Sequence, residues 1–230
     1  MDVFVIPIGP DRYELYCEQP FARDDVSPPP SGVIGRIRRR IEDWLRKAEQ
    51  WDESSAGTAR GRLGKLHDQV MAWVAERVAE QRLLWNLRRE TAVTVAHPDD
   101  LTADQVQTIV RRSLQQDLDR HQYWVWVDGV LFLVTFVALG PLFLLIPGIA
   151  NLPALYFGFR TVGHWYSRGG ARHGLNRVRW VPQPSAPLTE LRQVPLLPAA
   201  LRGTRVEEIA ARLRLYRFVP FYDRISKASL

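Results

Sequence analysis

The chain has 230 residues, room for one domain with an appended tail, and its 31 Lys and Arg against 25 Asp and Glu give a formal charge of +6. Cys17 is the sole cysteine, which excludes an internal disulfide framework. No phosphate loop, dinucleotide fingerprint, nucleophile elbow or paired-histidine spacing is present, and His67, His97, His121, His164 and His173 are scattered, so no enzyme, cofactor or metal centre is expected.

The start, MDVFVIPIGPDR, has no basic n-region, long apolar core or small-residue cleavage site, so it does not read as a signal peptide. Residues 3–8 and 13–17 are short runs rich in Val, Ile and Tyr around the turn residues Gly9-Pro10-Asp11-Arg12. They predict a β-hairpin over 1–20, with Pro7 placing the first strand at an edge. Residues 21–32 are a linker by composition.

A helical region is expected over 33–122. Its first helix, from about Gly32 to Asp52, has Ile34, Ile37, Ile41, Trp44 and Leu45 on one stripe, and Arg36, Arg38, Arg39 and Arg40 beside it. Those arginines either face anionic lipid headgroups or are simply solvated while the stripe packs on a neighbouring helix. A second helix, 59–90, carries Leu63, Leu66, Val70, Val74, Leu84 and Leu87 as a helix–helix seam. Residues 91–96 alternate and fit a third strand, and Thr102 with Gln105 has the form of a capping box that opens a helix running into the next segment.

That segment, 123–167, organises the rest. From Gly129 to Phe159 it has no charged side chain, longer than the roughly 20 residues that cross a bilayer core. Pro141, Pro147 and Pro153 argue against one straight helix. A single crossing, a helical hairpin turning near Gly140-Pro141 or Pro147-Gly148, and a buried hairpin in a soluble protein all remain open. Aromatic belts (Tyr123, Trp124, Trp126; Tyr156, Phe157, Trp165, Tyr166) and arginines flank both ends, which favours a proline-broken transmembrane hairpin with both ends on one side. The bilayer and its anionic headgroups are then the expected partners. Nucleic acid is not, for nothing matches a reader of bases.

Beyond the run, Arg168-Gly169-Gly170 reads as a helix break within a basic segment, 168–181. Residues 182–203 read as a proline-rich linker, and 204–230 as a C-terminal amphipathic helix opened by a second capping box, Thr204 to Glu207, with Val206, Ile209 and Leu213 inward. The alternating aromatic and basic residues of RLYRFVPFYDR are expected to pack or to meet an interface rather than to stack on bases. The fold class is therefore mainly α: amphipathic helices, a transmembrane hairpin and a small N-terminal β-hairpin.

Asp128 is the sharpest candidate for function, since an ionisable group inside an apolar run is costly. If the hairpin turns near Leu144, Asp128 and Arg160 are equidistant from the turn and would pair, with His164 one helical turn on, as a small proton-accepting cluster. The simpler reading is that the two charges mark the water boundaries, with Arg160 snorkelling.

Within 141–175, the run Pro147-Gly-Ile-Ala-Asn151-Leu152-Pro153 is followed by Tyr156-Phe157, Phe159-Arg160, His164-Trp165 and Gly174-Leu175. This resembles the mitochondrial K+-H+ exchange-related family, with its proline-rich membrane run, Pro-Asn-x-Pro step, aromatic pair, and Arg followed by an aromatic-flanked His. Val5-Ile6-Pro7 and Tyr16-Cys17 are similar to the family's opening, while Ala150 stands where proline would be expected. The resemblance implies an integral protein of the mitochondrial inner membrane, or of a bacterial cytoplasmic membrane with the bulk of the chain on the side of synthesis. It implies a part in monovalent cation/proton homeostasis. One hairpin is too little for a self-sufficient antiporter, which favours an accessory protein or regulator, self-associated or joined to a transporter subunit. A membrane-anchored scaffold for anionic lipid or a partner protein is the alternative.

Overall fold

The computed structural model describes residues 1–9, 11–18, 81–145 and 152–227. The 21–32 linker, the basic helix with Arg36, Arg38, Arg39 and Arg40, most of the 59–90 seam, and Pro147 and Asn151 lie outside them. In chain order come β1 (Asp2–Pro7), β2 (Tyr13–Tyr16), a helical stretch at 81–87, β3 (Ala92–His97), α1 (Ala103–Leu145) and α2 (Leu152–Asn176). β4 (Arg179–Pro184), α3 (Ala186–Leu191), a 3₁₀ turn (Val194–Leu196), α4 (Ala199–Leu213) and α5 (Phe218–Lys227) complete the described chain, which is mainly helical.

The expected β-hairpin is present, with Phe4 opposite Tyr16 and Pro7 opposite Tyr13, but it is half of a larger element. Four strands form one sheet in the order β2-β1-β3-β4; β3 runs parallel to β1 and β4 parallel to β3. β1 is therefore an inner strand, not the edge that Pro7 implied. Pro7 is tolerated because the β1 register with β3 ends at Phe4, so no partner needs its missing N–H.

Alternation along β1 supplies both faces of the sheet. Phe4, Ile6 and Ile8 join Tyr16, Leu188, Leu191, Val206, Ile209, Phe218 and Tyr222 in one core under the C-terminal helices. Val3, Val5, Val93 and Val95 are buried on the opposite side, where Val106, Val110 and Leu114 of α1 are buried too. The Thr102 capping box forms as expected: Gln105 N–H donates to Thr102 Oγ1 at 3.3 Å, and Thr102 N–H to Gln105 Oε1 at 2.8 Å.

Three other boundaries differ from expectation. Residues 182–203 are not a linker: they finish β4, form α3 and make the 3₁₀ turn, and they bury Leu188, Leu191 and Val194. Pro187 and Pro195 sit in the first turns of α3 and of the 3₁₀ turn, where the lost N–H has no helical partner anyway, while Pro182 and Pro184 lie in β4 and Pro198 stands at the N-cap of α4. The C-terminal helix opens at Ala199 behind Pro198, not at Thr204, which lies inside α4. It is two helices rather than one, because Arg214 takes a left-handed conformation at φ 57° and the Leu215 N–H turns back to Ala210 O. The aromatic run then packs, with Phe218 edge-on to Tyr16 at 5.6 Å.

The third difference is at Arg168-Gly169-Gly170, where α2 continues unbroken. A Cβ on Gly170 would lie 1.6 Å from the Leu84 carbonyl oxygen, so this glycine exists for close backbone approach to the 81–87 stretch. Around it, Trp85 Nε1 donates to Ser167 Oγ at 2.8 Å and the Arg88 guanidinium lies 4.2 Å from the Tyr166 ring centre. These contacts offset the weak helix propensity of paired glycines.

Gly170→Ala should therefore destabilise the fold by at least about 3 kcal/mol, because backbone rather than a side-chain tip must move. Gly203→Ala, in α4 with nothing within 4 Å of the new methyl, should instead stabilise it by about 0.5–1 kcal/mol. Chemical denaturation of the two purified variants beside wild type reads both signs.

Candidate functional site

At 1.5 Å per residue the 43 residues of α1 span about 64 Å, whereas the six-residue strands span about 20 Å. The first turns of α1 cover the sheet and the remainder extends past its end, accompanied by α2 over about 38 Å. Pro141 lies inside α1, so the chain does not turn at Gly140-Pro141. A proline in an apolar helix is tolerated when neighbouring backbone adjusts around the lost bond. The connection between the helices, 146–151, falls outside the described residues; Pro153 is the second residue of α2, where proline fits a first turn.

The two helices pack antiparallel. Gly129 lies against Thr161, and the Phe132 ring against Gly158, where a Cβ would stand 3.2 Å from the ring carbons. Outside this seam the outer stretch of α1 is apolar: Val130, Leu131, Leu133, Val134, Phe136 and Val137 are all exposed, Val137 by 67%. A soluble helix keeps one polar face, and this stretch has none. It is the one described helix long and apolar enough to cross a membrane.

At the base of the exposed apolar stretch, the seam is polar. Asp128 is fully buried, with Arg160 Nε 3.2 Å and His164 Nε2 3.4 Å from its Oδ2. The structure thus brings Asp128, Arg160 and His164 together. The Arg160 guanidinium lies 5.3 Å from the Trp124 ring centre and 5.6 Å from that of Tyr156, and its Nη1 donates to Tyr156 Oη at 3.3 Å. Trp124 stacks on His164 with centroids 6.3 Å apart. Two aromatic faces and a carboxylate hold this guanidinium, which suits the charge's delocalised, weakly hydrated plane. Of the other motif residues, Phe157 supplies a backbone carbonyl to Thr161 Oγ1, while Trp165 points outward and is 53% exposed.

One member of the cluster was not singled out by its sequence position. His121, buried on α1, places its Nδ1 2.7 Å from His164 Nδ1. A readable signal existed: Asp117, His121, Trp124 and Asp128 recur at helical spacing and share one face. His121 and Asp117 lie on the sheet side of Tyr123, before the apolar run. Burial first, then the His164 ring and Arg120, hold the His121 imidazole down to about 3, so it is neutral. Burial and the Glu14 carboxylate of β2 push the Asp117 carboxyl up to about 6, against a smaller pull from Arg120.

A separate open groove of about 460 Å³ beside the start of α1 is lined by Asp11, Tyr13, Asp104, Thr108 and Arg112. Its charged groups face water and form no cluster comparable to that at Asp128. Among the described residues, no set of three or more His, Cys, Asp or Glu is placed to hold a metal ion.

The polar cluster at the foot of an uncharged helical run coincides with what the comparison with known families returns: a model described as mitochondrial K+-H+ exchange-related matches residues 2–177. The chain belongs to that family. The match takes in β1 to β3 and the whole of the α1–α2 pair, and stops before β4 and the C-terminal helices. No curated protein and no solved structure matches the chain significantly.

Two predictions follow from these environments. Arg160 keeps 24% of its side chain exposed whereas Asp128 keeps 1%, so removing the arginine strands a buried charge while removing the carboxylate does not. Arg160→Gln should destabilise by about 3 kcal/mol or more and Asp128→Asn by about half that, and the double variant should be less damaged than Arg160→Gln alone; equal single effects in thermal unfolding would contradict the ordering. For Asp117 the folded protein holds the proton more tightly than the unfolded chain, so the carboxyl lends stability at acid pH that is lost as pH rises from about 4 through about 6. Asp117→Asn should accordingly raise stability at about pH 8, by no more than about 3 kcal/mol, and change little near pH 4, as thermal scans across that range will read.

Proposed function

We propose that this family member is an integral membrane protein whose α1–α2 pair inserts as a hairpin, and that it serves as an accessory protein or regulator in monovalent cation/proton homeostasis. The carrying observation is an exposed, apolar helical stretch with the Asp128–Arg160–His164–His121 cluster at its foot. The family match supports the K+-H+ exchange link, and its mitochondrial description supports the inner membrane as the location.

Regulation rather than autonomous antiport is favoured by the charge map. From Gly129 to Phe159 the sequence offers no charged side chain, and a carrier usually holds its ion near mid-depth within repeated halves. The sequence carries no enzyme motif, and on this reading the chain acts by binding and conformation. Its partners on this reading are the bilayer with its anionic headgroups and a transporter subunit or a second copy. The competing scaffold reading draws on the basic N-terminal arginines, Arg36, Arg38, Arg39 and Arg40, and needs no ion coupling at all.

Alkaline carbonate extraction of membranes should leave the chain in the pellet; release to the supernatant would end the membrane reading. In cells lacking the chain, K+-dependent acidification should be altered and restored by wild type, with Asp128→Asn failing to restore it at normal abundance. Full rescue by Asp128→Asn would favour the scaffold. Purified protein that by itself exchanges K+ for H+ in sealed liposomes would replace the accessory role with that of a carrier.

A further inference from the structure

The cluster does not end at His164. On α1, Asp117, His121 and Asp128 fall at i, i+4 and i+11 and cover about 16 Å of one helix face. From α2, His164 fills the gap between His121 and Asp128, 2.7 Å from the first and 3.4 Å from the second. Ionisable groups therefore stand in file along the helix seam, from the flank of the sheet to the threshold of the uncharged run. The file stops there: the next positions on the seam are Gly129 against Thr161 and Phe132 against Gly158.

The nitrogen geometry gives the file a direction. Two imidazole Nδ1 atoms at hydrogen-bond distance require one to carry the hydrogen and the other to accept it. His164 Nε2 lies 3.4 Å from Asp128 Oδ2, an ion-pair contact short of a hydrogen bond, and the carboxylate charge favours the His164 proton on that nitrogen, which leaves its Nδ1 as the acceptor. His121 Nδ1 is then the donor, and His121 Nε2 keeps a lone pair. Around this arrangement stand Arg160 against Asp128, Arg120 beside His121, Asp117 one helical turn before it on α1, and Glu14 with Arg12 on the β2 side.

We propose that this file is a one-ended proton-uptake path, which carries a proton from water at the sheet to the Asp128 carboxylate and there releases Arg160 from its ion pair. A proton arriving from Asp117 or water bonds to His121 Nε2. The Nδ1 proton of His121 passes to His164 Nδ1, and the Nε2 proton of His164 passes to Asp128 Oδ2. One proton has entered, one carboxylate has become a carboxylic acid, both rings are again neutral with exchanged tautomers, and ring rotation or tautomer exchange resets them. With its carboxylate neutralised, Arg160 keeps the Trp124 and Tyr156 faces and its hydrogen bond to Tyr156 Oη, and the ionic tie between α1 and α2 at the foot of the apolar stretch is gone. Trp124 is stacked on His164 and lies beside Arg160, packed against both members of the α2 side of the cluster. Asp117, one helical turn before His121 and with its carboxyl pushed up to about 6 by burial first, is suited to collect the proton.

The inference rests on the proton-linked reading above and deepens it, by naming the proton as the ligand of this site and α1 as its route. The test uses the full chain in sealed phosphatidylcholine–phosphatidylglycerol vesicles, with the proton itself as probe. After a jump from about pH 8 to about pH 5, time-resolved infrared spectra should show a carboxylic-acid band that is missing in Asp128→Asn. In His121→Gln, which keeps a hydrogen-bonding side chain but cannot pass a proton through a ring, the same band should reach the same final height at least about tenfold more slowly. An unchanged rate in His121→Gln would overturn the path, as would a wild-type protein that shows no Asp128 band at all. Nitrogen-15 spectra of histidine-labelled wild type give a second measure that needs no variant: His121 should carry its hydrogen on Nδ1 and His164 on Nε2, and the reverse pair would refute the direction. K+-dependent acidification in cells separates the proton path from the cation role. Slowed uptake in His121→Gln with no influence of the chain on cation exchange in cells would keep the path and remove the cation role, whereas altered exchange with unslowed uptake would do the opposite.

Discussion

Parallel neighbours β3 and β4 cannot be joined by a tight turn, and this constraint shapes the whole structure. The chain must leave the end of β3, run the length of the sheet and return to the start of β4. In an ordinary crossover one helix about as long as the strands is sufficient. Here the crossover is α1 and α2 together, far longer than the sheet, so its excess length projects from the sheet's end. The fold thus converts a routine topological need into an arm, and the sheet with its C-terminal helices anchors the arm at its base.

The arm changes character along its length. Near the sheet it is fixed by glycine-mediated backbone contact, by the Trp85–Ser167 hydrogen bond and by the stacking of Arg88 on Tyr166. Further out the contacts between helices are small residues and rings, and the outward faces are bare apolar side chains. The ion pair of Asp128 and Arg160 lies at the change between the two regimes. Buried ion pairs add little net stability, because desolvation offsets most of the attraction, but leaving the buried member without its partner is expensive. An interaction of that kind specifies register well: it holds α1 against α2 at one setting and penalises a slip of either helix.

Seen this way, the polar cluster and the membrane reading support each other. An apolar arm in lipid has no hydrophobic drive to hold its two helices together, so association depends on close packing and on polar contacts. Gly129, Gly158 and Thr161 supply the first, and the four-residue cluster at the foot supplies the second. A cluster whose charge state responds to a proton would therefore act on helix pairing directly, without a separate transmission element.

The sequence by itself determined the parts that depend on local pattern. The uncharged run from Gly129 to Phe159, the capping box at Thr102, the N-terminal strand pair and the symmetric placement of Asp128 and Arg160 about Leu144 are all visible in residue spacing, because period, charge and cap chemistry are written within a few residues. What depends on distant partners was decided only by the tertiary structure. Gly169-Gly170 reads as a break until the Leu84 backbone stands against it, and the prolines of 182–203 read as a linker until Leu188 and Leu191 are seen under the sheet. The hairpin became half of a four-stranded sheet because β3 and β4 arrive from far along the chain. His121 joined the site for the same reason: its spacing from Asp128 marks a helix face, but only the packing of α2 against α1 puts the His164 nitrogen within a hydrogen bond of it.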